Sequence, residues 1–280
     1  MLLCAVAWLG AMDTPSNLSE AACRVLGCPD PCQKAELTAA FVAAWRAGTI
    51  ADIGRAPPPD RPARPAEPAL KAPRELAKRK ITQAPAGRIA LLHALAHIEL
   101  NAIDLAWDIM ARFPTAALPR AFYDDWLQVA EEEAKHYSLL AERLAALGSR
   151  YGALPAHDGL WQAAQDTGHD LLARLAVVPL VLEARGLDVT PAMIDRLKTV
   201  GDEESAAVLE VIYHDEIGHV AIGRRWFLWA CRSRKLAPRT AWVEAVRRHF
   251  KGQLKPPFNE AARRQAGLEP EDYLPLVDVP

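Results

Sequence analysis

The sequence predicts an all-α protein, and three observations support that class. Apolar residues recur at helical spacing along four long stretches, at about 85–112, 118–148, 159–186 and 202–233. Runs of β-branched residues bounded by turns, which would indicate strands, are scarce. The chain of 280 residues, 51% of them hydrophobic, is long enough to bury one sizeable core. These features predict a four-helix bundle with additional helices at both ends.

The chain opens with an apolar stretch, MLLCAVAWLGAM, that matches neither a secretion signal nor a membrane span. No Lys or Arg precedes Arg24, and Asp13 ends the run well short of the roughly 20 apolar residues of a spanning helix. We interpret the stretch as an over-extended translation start with Met12 as the initiator, the alternative being a membrane anchor. The protein is therefore expected to be cytoplasmic, with no membrane partner.

Charge and cysteine content argue against a nucleic-acid-binding protein, a cysteine metal site and a disulfide-bonded fold. A formal net charge of −2 gives no overall electrostatic reason to expect nucleic acid as the main partner. Cys23, Cys28 and Cys32 lack the two-residue gap and the nearby fourth ligand of a metal knuckle. An odd total of 5 cysteines without a secretion signal also argues against a disulfide framework. Small buried or half-buried thiols are expected instead.

The first third of the chain divides into two segments. Residues 1–54 are predicted to be an N-terminal helical segment, with short helices at about 16–27 and 33–47. Residues 55–84 form a Pro- and basic-rich strap that begins RAPPPDRPARPAEPALKAPRE. Because proline fixes φ and removes an N–H donor, this segment is not a regular helix. It is either a disordered linker or an extended strap lying on the domain.

Residues 85–235 are predicted to be the bundle, and residues 236–280 to be C-terminal helices and a tail. Short loops containing Pro114 and Pro119, and then GSRYGALPAHDG, join the first three bundle helices. The tail is expected to hold one helix near 238–251, followed by KPPFNEAARRQAGL.

Two helix starts are predicted from capping residues. In DVTPAM, Thr190 is expected to be an N-cap and Pro191 the first residue of a short extra helix. Asp202, after Gly201, is expected to cap the last long helix.

One carboxylate and histidine pattern occurs twice on the predicted bundle helices. EEEAKHY and HDEIGHV each place a Glu and a His three residues apart, on one face of a helix. A further Glu lies 34 residues before the first pair and another 33 before the second, which suggests duplication of a helical hairpin. A bundle that holds two metal ions needs this order of side chains. The predicted metal ligands are Glu99, Glu133, His136, Glu183, Glu216 and His219.

The charges of this ligand set indicate the metal. Four carboxylates buried in an apolar bundle would be prohibitive unless cations neutralised them, and two divalent ions do so. Mixed oxygen and nitrogen ligands suit iron or manganese better than a thiolate-bound zinc. We expect two Fe ions, with Mn or a mixed Mn/Fe pair as the alternative. The competing interpretation is a set of surface acids and core histidines on ordinary helices.

Residues beside the ligands are predicted to support them. Ligand histidines usually donate their other ring N–H to a carboxylate, so Glu132 and Asp215 are each expected to accept from the histidine of the opposite pair. The alternative for Glu132 is a place on the solvent side of its helix. Tyr137 and Tyr213 fall near the liganding faces and either line a substrate cavity, bond a carboxylate or pack in the core.

Three other histidines on the bundle helices are not predicted to bind metal. His97 and His214 lie two residues from a predicted ligand, which turns them away from the metal face and predicts packing or interface roles. His93 is left open between packing and function.

The quoted motifs resemble the ferritin-like di-iron carboxylate superfamily. More narrowly, GRIALLHALAHIELNAIDLAWD, EEEAKHY, EARGLDVTP and HDEIGHVAIG resemble a bacterial ferritin-like family known as a domain of unknown function. The strap and the tail are similar as well, so the resemblance covers nearly all of the chain after the first dozen residues. It implies a ferritin-like bundle with a bound metal pair and no particular reaction. Ribonucleotide reductase small subunits place a radical tyrosine where this chain has Leu140, so a radical role is not expected.

Three functions follow as hypotheses. In the first, an O₂-dependent di-iron oxygenase or oxidase, ions bridged by Glu133 and Glu216 reduce dioxygen beside a small-molecule or macromolecular substrate. A separate electron donor would be needed, because no Gly-x-Gly-x-x-Gly fingerprint is present. The second is a ferroxidase or metal-handling protein. The third is a non-enzymatic scaffold with a structural metal pair, whose basic strap and RRHFKGQLK dock a partner such as RNA.

Overall fold

The computed structural model describes residues 14–76, 79–115 and 117–277, and within them the predicted all-α bundle class is confirmed. The described residues contain no strand, and a single parallel bridge joins Leu70 to Ala156. The apolar opening and Met12 lie outside the described residues. The helices in chain order are α1 Leu18–Gly27, α2 Pro31–Arg46, α3 Pro85–Arg112, α4 Arg120–Ala146, α5 Gly159–Asp166, α6 Leu171–Val177, a π-helix Val178–Glu183, α7 Ala184–Thr199, α8 Glu203–Ser233, α9 Pro238–His249, α10 Glu260–Gln265 and α11 Pro270–Tyr273.

The chain divides into two compact units. Of the described residues, the first unit holds those in 14–66 and 99–138, and the second holds those in 67–98 and 139–277. Helices α3 and α4 contribute residues to both.

Aromatic residues hold the helices of the first unit together. The Trp107 indole N–H on α3 donates to the Thr38 hydroxyl on α2 at 3.0 Å, and its ring meets Phe41 edge-on with centroids 6.5 Å apart. Trp45 at the end of α2 donates to Asp124 on α4 at 2.7 Å. Buried indoles with satisfied N–H groups combine large apolar burial with fixed orientation. The packing therefore places α2 beside the segments of α3 and α4 that belong to this unit.

The Pro-rich strap is ordered where it crosses the first unit. The Ala63 N–H donates to the Leu26 carbonyl at 2.7 Å, and Arg112 donates to the Pro59 carbonyl at 2.9 Å. Arg64 pairs at 2.7 Å with the buried Asp104, which also accepts from the buried Lys34 at 2.5 Å. Because removal of one partner from a buried ion pair leaves an uncompensated charge, these contacts hold the strap firmly. Of the two alternatives, the extended strap is the one observed over this stretch.

The second unit departs from the predicted single helix at 159–186. Helix α5 ends at Asp166, and Asp170 starts α6 by accepting the Leu172 N–H at 3.1 Å. After α6 the chain forms the π-helix, which contains Pro179. A proline inside a helix cannot donate to the carbonyl four residues earlier, so the regular bonding pattern breaks at this point. Helices α6, α7 and the π-helix all pack against α8.

The predicted helix start at Thr190 and Pro191 is wrong. Helix α7 runs continuously through both residues, and Thr190 is buried within it. Pro191 has no N–H to donate to the Leu187 carbonyl, which ordinarily breaks or kinks a helix. The Asn259 side-chain amide donates to that carbonyl instead, at 3.2 Å. A contact from the C-terminal tail thus replaces the missing backbone bond, and local sequence gave no sign of it.

The predicted cap of the last long helix is confirmed. Asp202 Oδ1 accepts the Ser205 N–H at 3.1 Å, and Gly201 before it has a φ of +78°, a conformation that glycine adopts without strain. The same carboxylate pairs with Arg88 at 2.6 Å and with Arg143 at 2.9 Å. Asp202 therefore joins α3, α4 and α8 within the second unit.

Helix α3 is long and apolar enough to cross a membrane, yet 78% of its most apolar window is buried within the protein. A core helix of a soluble protein has this character.

Candidate metal centre

The first half-site is a compact group of two acids and a histidine in the first unit. Glu99 comes from α3, and Glu133 and His136 come from α4, one turn apart on the same face. The His136 Nδ1 lies 3.3 Å from Glu99 Oε2 and 3.4 Å from Glu133 Oε2. All three side chains are buried, and each offers a ligand atom within 4.8 Å of the others. The structure thus brings three of the predicted ligands together.

Burial and mutual repulsion perturb the titration of this group. Desolvation, together with the negative charge of Glu133, raises the pKa of Glu99 well above its usual value. Burial by itself would lower the pKa of His136, but hydrogen bonds and charges from Glu133 and Glu99 outweigh it and raise that pKa. Without a metal ion, protons must offset the two buried carboxylates. A divalent cation would do so directly, so the donor set fits a metal ion.

The three other predicted ligands, Glu183, Glu216 and His219, belong to the second unit and are called here the second half-site. Glu216 and His219 sit one turn apart on α8, with His219 Nδ1 3.7 Å from Glu216 Oε2. The His219 side chain is fully buried, whereas that of Glu216 is 12% exposed. Glu183, half-buried, is the last residue of the π-helix. The three residues therefore come from two elements of the same unit, as in the first half-site.

The π-helix that carries Glu183 depends on a close approach to α8. The Ala184 N–H bonds to the Pro179 carbonyl, five residues back, which is the π pattern. A Cβ built on Gly223 of α8 would lie 2.3 Å from the Pro179 Cβ, so only glycine fits there without movement. Short π-helices are frequent at functional sites.

The four residues predicted to support or neighbour the ligands lie in buried or partly buried positions. Glu132 is half-buried and accepts from the Gln128 amide at 3.1 Å, and Asp215 lies 3.8 Å from His214 Nδ1. Their roles toward the ligand histidines stay predictions. Tyr137 is buried, and the Tyr213 hydroxyl accepts from the Asn259 amide at 2.8 Å.

Two of the other histidines hold a loop of the second unit. His97 lies 2.8 Å from the Tyr151 hydroxyl and donates from Nε2 to the His157 carbonyl at 3.0 Å. His93 Nε2 accepts the Gly152 N–H at 3.0 Å, which fixes a neutral ring. Burial, with the charge of Arg79, lowers the pKa of His93 to about 4. These contacts are those of a packing histidine, which is one of the two alternatives for His93. His214 is 87% exposed.

The described cysteines form neither a disulfide nor a metal cluster with one another. Cys28 and Cys231 are buried, Cys23 is half-buried and Cys32 is exposed, which corrects the expectation for Cys32. Asp30 and Pro31 explain that exposure, because they start α2 and leave Cys32 on its first, outward-facing turn.

Sequence reasoning missed the tail residues that contact the second half-site's helices. Asn259 and Arg263 bond to the start of α7, and nothing in their local pattern indicates that contact. The one sequence signal for this contact was the motif KPPFNEAARRQAGL, which lies outside the predicted bundle and had no role in it.

Comparison with known proteins gives a family without an assigned activity. A family model described as "Protein of unknown function (DUF455)" matches residues 27–274. An uncharacterized protein of Haemophilus influenzae is 42% identical over 209 residues, which span 73% of this chain and 72% of that relative. No solved structure matches the chain. Because the family model covers most of the sequence, the chain belongs to the DUF455 family.

Proposed function

We propose that this chain is a ferritin-like protein with a dinuclear metal centre. The proposed ligands are those predicted from the order of acids and histidines along the chain: Glu99, Glu133, His136, Glu183, Glu216 and His219. The observation that supports it most strongly is the first half-site, where two carboxylates and an imidazole meet in a buried position. The repeated order of acids and histidines along the chain, which is the order that a dinuclear site in a helical bundle needs, also supports it.

The proposed metal is a pair of Fe ions, with Mn or a mixed pair as the alternative. Four carboxylates balance the charge of two divalent ions, and carboxylate with imidazole is a ligand set that both metals accept. Bound reduced iron would supply the redox chemistry of an O₂-dependent oxidation. The protein would supply buried ligands at fixed positions and exclude water from the first half-site, whose three side chains are at most 4% exposed.

The proposed activity is that of a cytoplasmic O₂-dependent oxygenase or oxidase. Its electrons would come from a separate donor protein, since the sequence carries no flavin or nicotinamide fingerprint. This activity rests on the proposed ligand set, because redox-active metal ions in such a site react with dioxygen.

The test is anaerobic loading of the purified chain with Fe²⁺, followed by a pulse of oxygen. We expect about two ions per chain and a near-ultraviolet absorption band typical of an oxo-bridged diferric pair. Metal analysis before the pulse serves as the control for loading. Iron binding without that band would contradict the oxidative activity, and a chain that takes up neither iron nor manganese would contradict the metal centre as well.

A further inference from the structure

We propose that the C-terminal tail positions the second half-site, through Asn259 and Arg263 acting together as a clamp on the start of α7. This inference rests on the proposed metal centre and adds positioning residues to it. Neither side chain is a proposed ligand. Each bonds to α7 just after Glu183, the acid that ends the π-helix.

Arg263 forms the rigid part of the clamp. Its Nε and Nη2 donate to the two carboxylate oxygens of Asp188 at 2.8 and 2.7 Å, and both side chains are at most 2% exposed. The guanidinium lies over Phe258 and Tyr273, 4.9 and 4.6 Å from the ring centroids. A bidentate pair stacked on aromatic rings has one geometry and little freedom to rotate. Nη2 also reaches the Ala184 carbonyl at 3.4 Å, next to Glu183 in the chain.

Asn259 links the clamp to both helices of the half-site. Its side-chain amide donates to the Leu187 carbonyl on α7 at 3.2 Å and to the Tyr213 hydroxyl on α8 at 2.8 Å. Its own N–H donates to Asp188 at 3.0 Å. Tyr213 lies three residues before Glu216, on the adjoining turn of α8. One amide therefore joins the helix that follows Glu183 to the helix that carries Glu216.

The start of α7 needs these donors because its backbone bonding is irregular on both sides. The π-helix before it shifts the bonding register, and Pro191 leaves the Leu187 carbonyl without its usual backbone donor. A helix end with such gaps has alternative local arrangements of similar energy. The tail supplies donors to the carbonyls of Ala184 and Leu187, and so it selects one arrangement and one position for Glu183.

The test compares metal binding by the full-length wild type, R263Q and R263K. Co²⁺ is the probe, because its visible spectrum reports ligand geometry as well as occupancy. We expect R263Q to weaken binding of one of two Co²⁺ ions by about 10- to 100-fold, as losses of residues that orient ligands do, and to change the spectrum. R263K should recover part of the affinity, because Lys restores the charge but not the bidentate fork.

The matched control is R224Q. Arg224 pairs with Asp272 of the tail at 3.1 Å and is 14% exposed, so the change also removes a largely buried ion pair of the tail. It leaves the contacts to α7 in place, and Co²⁺ affinity should stay within about threefold of wild type.

Each outcome decides the inference. Equal losses of Co²⁺ affinity in R263Q and R224Q would overturn the clamp and leave the metal centre standing. Unchanged Co²⁺ affinity in R263Q, while the wild type binds two ions, would do the same. A wild type that binds no metal would overturn both.

If R263Q does not fold, N259A replaces it. A loss of threefold or more in N259A, with faster hydrogen exchange at residues 180–188 of the metal-free chain, supports the clamp, and wild-type values of both overturn it.

Discussion

The two half-sites use the same Glu-x-x-His motif but hold its partner acid in different ways. In the first, Glu99 lies in the middle of α3, a regular helix of 28 residues, and its Oε2 lies 3.3 Å from Nδ1 of the buried His136. In the second, Glu183 ends a π-helix, and α7 after it contains a proline. The Glu216–His219 distance there is 3.7 Å. Regular helical bonding holds the backbone of one acid, whereas we propose that contacts from distant residues position the other.

This difference has a consequence for stability and for binding. A site whose ligands come from uninterrupted helices is preorganised by the backbone itself. A site built on a π-helix depends on the elements packed around it, here Gly223 of α8 and the tail. We therefore expect the first half-site to bind metal more tightly than the second.

The largest expected effect is on metal stoichiometry. E133A removes an acid from the buried first half-site and should weaken metal binding by 100-fold or more, since loss of a ligand costs more than the 10- to 100-fold of an orienting residue. E183A should leave about one tightly bound ion per chain. Mass spectrometry of the native protein and titration with Mn²⁺ measure both. E131A is the control, because Glu131 pairs with Arg46 at an exposed position. Equal losses in E133A and E183A would contradict the proposed difference.

The next effect is on packing of the π-helix. G223A places a methyl group where Pro179 already lies and should lower the free energy of unfolding by about 1–3 kcal/mol. The control on the same helix is G218A, since a Cβ at Gly218 meets nothing within 4 Å, and that change should be neutral or stabilising by up to about 1 kcal/mol. Urea unfolding of the metal-free protein measures both. Equal stability of the two variants would contradict the tight contact.

A smaller effect concerns pH and a histidine outside both half-sites. The pKa of His93 is about 4 in the folded chain and near 6.5 when unfolded, so the unfolded state binds the extra proton between these values. Stability from the neutral ring is present above pH 6.5 and is lost as pH falls toward 4, by on the order of 1–3 kcal/mol. H93Q should flatten this part of the pH dependence. Thermal unfolding from pH 7 to 4.5 measures it, and an unchanged slope would show that other groups cause the acid sensitivity.

The smallest effect is at the exposed acid beside the first half-site. Arg46 and Glu131 are 55% and 39% exposed, so their ion pair is largely screened by water. R46A should change the free energy of unfolding by less than about 0.5 kcal/mol and leave metal content unaltered. A larger loss would show that the acidic triplet before His136 acts as one buried unit.

Much of this architecture was predictable from residues close together in sequence. Helical periodicity predicted α3, α4 and α8 to within a few residues, because amphipathic patterns follow directly from 3.6 residues per turn. Asp202 was predictable as a cap, since its side chain bonds an amide three residues on. The grouping of Glu133 and His136 on one face of α4 was predictable for the same local reason.

The failures lie where distant segments supply hydrogen bonds. Pro191 predicted a helix start, and Asn259, 68 residues later, supplies the donor that lets α7 continue. The sequence left the strap as either a disordered linker or an extended segment on the domain. The ion pair between Arg64 and Asp104, which is buried on α3, supports the extended segment. Local propensities cannot predict such contacts, because these hydrogen bonds and ion pairs gain their strength from burial, which exists only in the folded chain.

The sequence by itself determined the helical class, the spacing of acids and histidines on three of the helices, and the cap of α8, because each depends on residues within one or two turns. Only the tertiary structure decided that Glu99, Glu133 and His136 meet as a buried group, that a π-helix carries Glu183, and that the tail bonds to α7. The physical reason is that desolvated charges and irregular backbone are stable only where residues far apart in the chain supply their partners.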